Sequence, residues 1–131
     1  AIFPLSGEGD RSVAQRALVA AQEAETAIRV LNEGRVRGGQ PVIRFGLALH
    51  VGEVLYGNIG GADRLDFTVI GQAVNVATRI ESLCKTLDRH VLLSREFAAL
   101  CKIPVEPIGT FALKGVGTEQ PVYAPMGVNP D

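Results

Sequence analysis

Apolar residues recur along this chain with two different periods, and the changes of period divide it into elements. Val13, Ala17, Leu18, Ala21, Ala24, Ile28 and Leu31 fall at helical spacing in an alanine-rich stretch. The spacing predicts a helix over residues 13–31, capped by the short side chain of Asp10 or Ser12 and ended by Gly34. Ahead of it, residues 1–4 read as the tail of a strand and residues 6–10 as a loop. Residues 35–41 form a basic turn containing glycine.

The period then shortens. Residues 42–50 predict a strand and residues 53–59 a second, and only Val51 and Gly52 separate them, so an antiparallel hairpin is expected. Residues 60–63 form a glycine-rich turn, and residues 65–70 an extended piece that passes through Gly71 into a second helix. Val74, Ala77, Ile80 and Cys84 give that helix an apolar face, with Glu81 beside it, and it ends near Leu87. Residues 91–93 are a short buried strand, after which Ser94 caps a small helix reaching Leu100, with Glu96 in its first turn. Residues 105–113 and 120–124 complete the pattern as strands around the loop 114–117. Helices alternating with hairpin strands give the α/β class in its mixed, α+β and ferredoxin-like sense.

Composition narrows the function classes. The 131 residues suit one domain, and 47% hydrophobic with 21% charged residues is the balance of a globular protein. Thirteen basic against fourteen acidic side chains leave a net charge of −1, which offers no electrostatic footprint for nucleic acid. Trp is absent and aromatics are 5%, so the core has to be built from Val, Ile, Leu and Ala. Cys84 and Cys101 are too few for a disulfide framework or a zinc site and read as buried thiols of a reducing, cytoplasmic compartment. No apolar run approaches the roughly 20 residues of a membrane span, so a membrane anchor would belong to regions outside this sequence. The single Met is Met126, and the chain opens on the scrap Ala1-Ile2-Phe3-Pro4. It therefore reads as part of a longer chain.

Chemistry concentrates in residues 71–81. Asn75 and Arg79 are four apart on the second helix and share a face, with about 6 Å between Cβ atoms. An amide and a guanidinium so spaced can grip an anionic ligand, and the guanidinium fork suits phosphate oxygens. Such pairs are also common on solvated helix faces. His50 closes a strand between two apolar neighbours and reads as structural, and His90 lies in a loop beside Arg89. The glycines at 57, 60 and 61 lack the Lys-Ser/Thr ending of a Walker loop.

The run Gly57-Asn58-Ile59-Gly60-Gly61-Ala62-Asp63-Arg64-Leu65-Asp66-Phe67-Thr68-Val69-Ile70-Gly71, leading into the Asn75/Arg79 helix, resembles the signature of class III adenylyl and guanylyl cyclases. The preceding Phe45-Gly46-Leu47-Ala48-Leu49-His50-Val51-Gly52-Glu53-Val54 matches that family's central hairpin, and Phe111-Ala112-Leu113-Lys114-Gly115 its last substrate loop. The resemblance covers nearly the whole chain in the right order. It implies a class III cyclase fold whose first strands precede Ala1, so that residues 1–131 are the C-terminal part of one nucleotidyl cyclase catalytic domain.

Carried onto these positions, the resemblance implies that Asn75 orients the ribose and Arg79 stabilises charge on the α-phosphate. Lys114 would hold the phosphates that leave as pyrophosphate. Thr68 falls where the family reads the base and is similar to the bacterial branch that makes cyclic AMP. A hydroxyl both accepts and donates, so Thr68 alone does not choose between ATP and GTP. Two Mg²⁺ (or Mn²⁺) ions are expected in the complete domain, on two aspartates that would precede Ala1. Asp10, Asp63 and Asp66 do not match them, and no metal ligand is assigned. The implied activity is an adenylate cyclase acting on ATP at the interface of a homodimer. The alternatives are a guanylate cyclase, a non-catalytic cyclase-like binding or regulatory domain, and a plain ferredoxin-like interaction module.

Overall fold

The computed structural model describes residues 2–5, 9–58 and 67–126. Its first helix, α1, spans Asp10–Arg37 and runs well beyond the predicted stretch. The expected side-chain cap is absent: Gly9 occupies the cap position in a left-handed conformation, and Asp10 lies inside the first turn. Gly34 does not end the helix. One glycine in a helix interior costs about 1 kcal/mol relative to alanine, too little to stop it. The helix ends at Gly38, whose N–H donates to the carbonyl of Gly34, and Gly39 turns the chain at φ 72°.

Only the first half of α1 is buried, through Ala14, Ala17, Leu18 and Ala21. The second half is tied to the returning chain by side-chain hydrogen bonds. Asn32 Nδ2 donates to the Ile43 carbonyl at 2.9 Å, the Ile43 N–H donates to Asn32 Oδ1 at 2.7 Å, and Arg35 Nε donates to the Pro41 carbonyl at 2.7 Å. These bonds occupy backbone that would otherwise pair in a sheet. The strand predicted over residues 42–50 therefore contracts to β1, Leu47–Leu49.

The predicted hairpin is also rearranged. Strand β2 (Leu55–Asn58) pairs antiparallel with β3 (Phe67–Ile70), while β1 pairs in parallel with β4 (Val91–Ser94). A two-residue hairpin turn needs positive φ at its first central residue, which the β-branched Val51 disfavours. The residues expected as the 60–63 turn, and 65 and 66 of the extended piece, lie outside the described residues. Residues 2–5 carry no strand and are exposed, contrary to the strand tail expected there.

Helix α2 covers Gln72–Leu87 and buries Val76, Ile80 and Cys84, one step round from the predicted face; Val74 and Ala77 are half-buried. Ser94 caps the short helix α3 (Arg95–Ala98) as predicted, its Oγ accepting from the Phe97 N–H at 3.1 Å. The last two strands form where expected, β5 over Val105–Ala112 and β6 over Glu119–Pro125, and they pair antiparallel. The main sheet runs β1-β4-β6-β5, mixed and mostly antiparallel, in the α+β class read from the sequence. Among the described residues no helix is long and apolar enough to cross a membrane.

Strand alternation divides the core in two. Val91 and Leu93 of β4 meet α1 and Phe97 on one face of the sheet. Leu92 meets Val76, Ile80 and Cys84 of α2 on the other, with Leu113, Val122 and Ala124. Helix α2 comes so close to the chain around β1 that side chains are excluded there. A Cβ on Gly46 would lie 2.8 Å from the Cβ of Cys84, and one on Gly52 would lie 2.6 Å from the Cβ of Ala73.

The substitution Gly52→Ala must therefore push α2 off the sheet. We expect it to cost about 1–3 kcal/mol in urea denaturation, the usual range for overpacking. Gly117→Ala, built into open space, should stay within about 0.5 kcal/mol of the parent. Equal stability of the two variants would refute the close approach.

Candidate functional site

Gly71 sets the entry of α2. Its φ of 153° is one that side chains rarely adopt, and a Cβ there would lie 3.0 Å from the Glu53 carbonyl oxygen. From that point the helix presents Gln72, Asn75 and Arg79 to solvent. Its first turn carries no acidic residue, so the positive end of the helix dipole is not neutralised by its own side chains. The hydroxyls of Thr78 and Ser82 turn inward, donating to the Val74 carbonyl at 2.9 Å and the Thr78 carbonyl at 3.1 Å. Gln72, Asn75 and Arg79 are exposed in the first half of the helix, and Glu81, Lys85 and Thr86 further along.

Lys114 stands on a tight turn between β5 and β6. Leu113 before it is buried, Gly115 after it takes φ 81°, and the Val116 N–H closes the turn onto the Leu113 carbonyl at 3.0 Å. The Lys114 side chain is exposed while its backbone is pinned on both sides. Gln72 joins the two elements. Its Nε2 donates to the Gly115 carbonyl at 3.4 Å, and its Oε1 accepts from Asn75 Nδ2 at 3.3 Å. The turn carrying Lys114 is thus held against the first turn of α2. Gln72 was not singled out from the sequence, although its place one turn before Asn75 was a signal for an amide–amide contact.

Of the other residues weighed in the sequence, Thr68 lies on β3 opposite Gly57, three positions before Gly71. Asp63 and Asp66 fall outside the described residues. Among the described residues no group of three or more His, Cys, Asp or Glu is placed to hold a metal ion. The two ions implied by the resemblance find no ligand set among these residues. Arg79 and Lys114 make no hydrogen bond or ion pair with other described residues, so both cations are open to a ligand. A cavity of about 450 Å³ runs along α1 beside Glu25, Ile28 and His90, and none of Asn75, Arg79 and Lys114 lines it. Its walls are mostly one helix surface, so the open face on α2, with the Lys114 turn held against its first turn, is the better candidate.

His50 is a structural residue. Its side chain is 9% exposed, and Nδ1 lies 3.6 Å from Glu96 Oε2, too far for a hydrogen bond. Burial pushes the imidazole below its ordinary value of 6.5, and the charge of Glu96 opposes this more weakly. His90, by contrast, is exposed on one side, with Nδ1 3.3 Å from Glu25 Oε2 and its ring 5.3 Å from that of Phe45. Both thiols are free, and burial raises Cys84 and Cys101 above their ordinary values, which makes them poor nucleophiles.

A depressed histidine contributes stability that is complete above its unfolded value of 6.5 and lost as pH falls through the folded one. Acidification from pH 7.5 to about 5.5 should therefore destabilise the protein more than its His50→Gln variant in urea titrations. Parallel losses in the two proteins would show that His50 is not the group responsible.

Comparison with known proteins adds a family. Residues 12–124 match the model of the "Adenylate and Guanylate cyclase catalytic domain". Adenylate cyclase 1 of Rhizobium meliloti is 32% identical over 121 residues, covering 91% of this chain and 18% of that protein. An adenylate cyclase of Anabaena cylindrica is 37% identical over 97 residues, covering 72% of this chain and 19% of its own length. The chain thus spans about a fifth of the length of both relatives. Among solved structures, the adenylyl cyclase CyaB from P. aeruginosa superposes with a TM-score of 0.78 at 26% identity, over 95% of this chain and 64% of that one. The guanylyl cyclase Cya2 gives 0.68 at 26% identity, over 91% and 60%.

Proposed function

This chain belongs to the adenylate and guanylate cyclase catalytic domain family, and we propose that it serves to convert ATP into cyclic AMP and pyrophosphate. In this reading the ribose 3′-oxygen attacks the α-phosphorus as the hydroxyl gives up its proton to solvent water. The new P–O bond forms while the bond to the oxygen bridging the α- and β-phosphates breaks, and pyrophosphate departs. The observation that carries the reading is the link through Gln72, which brings the Lys114 turn to the helix that bears Asn75 and Arg79. One open face then offers an amide for a sugar and two cations for phosphates.

The roles follow from the chemistry of each group. Asn75 meets the ribose, with an amide able to donate and accept. Arg79 is always protonated and carries donors in a fixed fork, and it stabilises charge gathering on the α-phosphate oxygens. Lys114 is a flexible point charge suited to the terminal phosphates as they separate. Thr68, on the strand leading to Gly71, reads the base. ATP is preferred over GTP because both relatives described above are named adenylate cyclases.

An open, shallow face suits a site completed by a second subunit. We read residues 1–131 as the C-terminal part of one catalytic domain, in a cytoplasmic region of a homodimer whose partner supplies the metal-binding aspartates. The metal ions, Mg²⁺ or Mn²⁺, would hold the triphosphate and favour departure of pyrophosphate when bound.

The test is a cyclic nucleotide assay on the full-length dimer with ATP or GTP and either metal. Cyclic AMP from ATP is expected, with kcat lower by about 10²–10³ in Arg79→Ala, the usual cost of removing a transition-state donor. Lys114→Ala should act mainly on KM, raising it about tenfold, as expected for one charge-assisted contact. Cyclic GMP from GTP alone would reverse the base preference. No cyclic product from a folded dimer would make this a binding domain.

A further inference from the structure

The contacts of Gln72 carry one step more. A backbone carbonyl can only accept, so the bond to the Gly115 oxygen requires the NH₂ end of the Gln72 amide. That choice turns Gln72 Oε1 toward α2, where only a donor satisfies it, and the NH₂ end of Asn75 meets it. The Gly115 carbonyl thus decides the orientation of two successive amides. Asn75 is left with its Oδ1 acceptor unengaged among the described residues. An acceptor is what a sugar hydroxyl requires of its partner when the hydroxyl donates.

We infer that Gln72 is a positioning residue for the nucleotide. It holds the Lys114 turn at the distance the phosphates need and orients the Asn75 amide with its acceptor toward the ribose. This rests on the cyclase reading for the identity of the ligand. The turn itself makes the link useful. Lys114 has a buried neighbour on one side, Leu113, but on the other side Gly115 has nothing within 4 Å of a Cβ position. Without Gln72 the far side of the turn is held, among the described residues, by the Val116 N–H bond to the Leu113 carbonyl and by Val116 packing on the apolar cluster, and neither contact fixes Gly115 against the first turn of α2. A ligand's phosphates would then have to order Lys114 at the moment of binding, which weakens affinity.

The variant to make is Gln72→Met, which keeps length and flexibility and removes both hydrogen bonds. In the full-length protein, calorimetry with 3′-deoxy-ATP and Mg²⁺ measures binding without turnover, because the attacking hydroxyl is absent. Affinity should fall roughly threefold to tenfold, the size of one or two net hydrogen bonds, with the thermal midpoint unchanged. In a Lys114→Ala background the part of that loss exerted through the turn should disappear, leaving only the part exerted through Asn75. Unchanged affinity in Gln72→Met overturns the proposal, and so does a loss that persists in full without Lys114. Tight binding by the parent with no cyclic product would defeat the cyclase reading and leave the role of Gln72 standing. Normal turnover with an unaffected Gln72→Met would defeat the role of Gln72 alone.

Discussion

Helix α2 lies against the chain around β1 at a distance that only glycine permits, and the candidate site depends on that contact. Cys84 near one end of the helix and Ala73 near the other fill the spaces where Gly46 and Gly52 have no side chain. Two contacts about three turns apart fix both the height and the direction of the helix. The buried face of Val76, Ile80 and Cys84 then meets Leu92 and Val122, and the opposite face is committed to solvent. Asn75 and Arg79 are exposed because their neighbours on the helix are buried. Their orientation comes from packing behind them, since they hold few contacts of their own.

The second constraint is the turn between β5 and β6. Its strands are the most extensively paired in the sheet, from Val105 opposite Pro125 to Ala112 opposite Glu119. A cation mounted on such a base moves little at its root, while its side chain keeps the freedom to follow a phosphate. Helix and turn belong to distant parts of the sequence, and they share one cluster through Leu113 and Val116. The polar contact through Gln72 thus rests on an apolar one beneath it. Both Arg79 and Lys114 lack carboxylate partners among the described residues, and each is held by its backbone. The electrostatic cost of leaving them unpaired is small at an exposed surface.

Much of this was legible in the residues. The helical spacing in α1 and α2, the Ser94 cap and the final pair of strands all follow local rules, and local rules need no knowledge of the rest of the chain. The Asn75–Arg79 pair was legible for the same reason, because a helix puts residues four apart on one face whatever surrounds it. The failures share a cause as well. Residues 42–46 have the composition of a strand, yet Asn32 binds the Ile43 backbone from the side of α1, and Arg35 holds the Pro41 carbonyl just before it. Gly34 looked like a stop signal, yet its position inside a helix was tolerated at small cost.

The sequence by itself determined the periodic elements and the identity of the polar groups on α2 and the last turn. Each of these is a property of neighbouring residues and their chemistry. Only the tertiary structure decided that β1 pairs with β4 instead of with β2, and that the buried face of α2 takes in Val76 while Val74 and Ala77 stay half-buried. Only there does Gln72 reach across 43 positions of sequence to the Gly115 carbonyl. Pairings of that kind depend on which surfaces exclude water together, and that is settled by the whole chain at once.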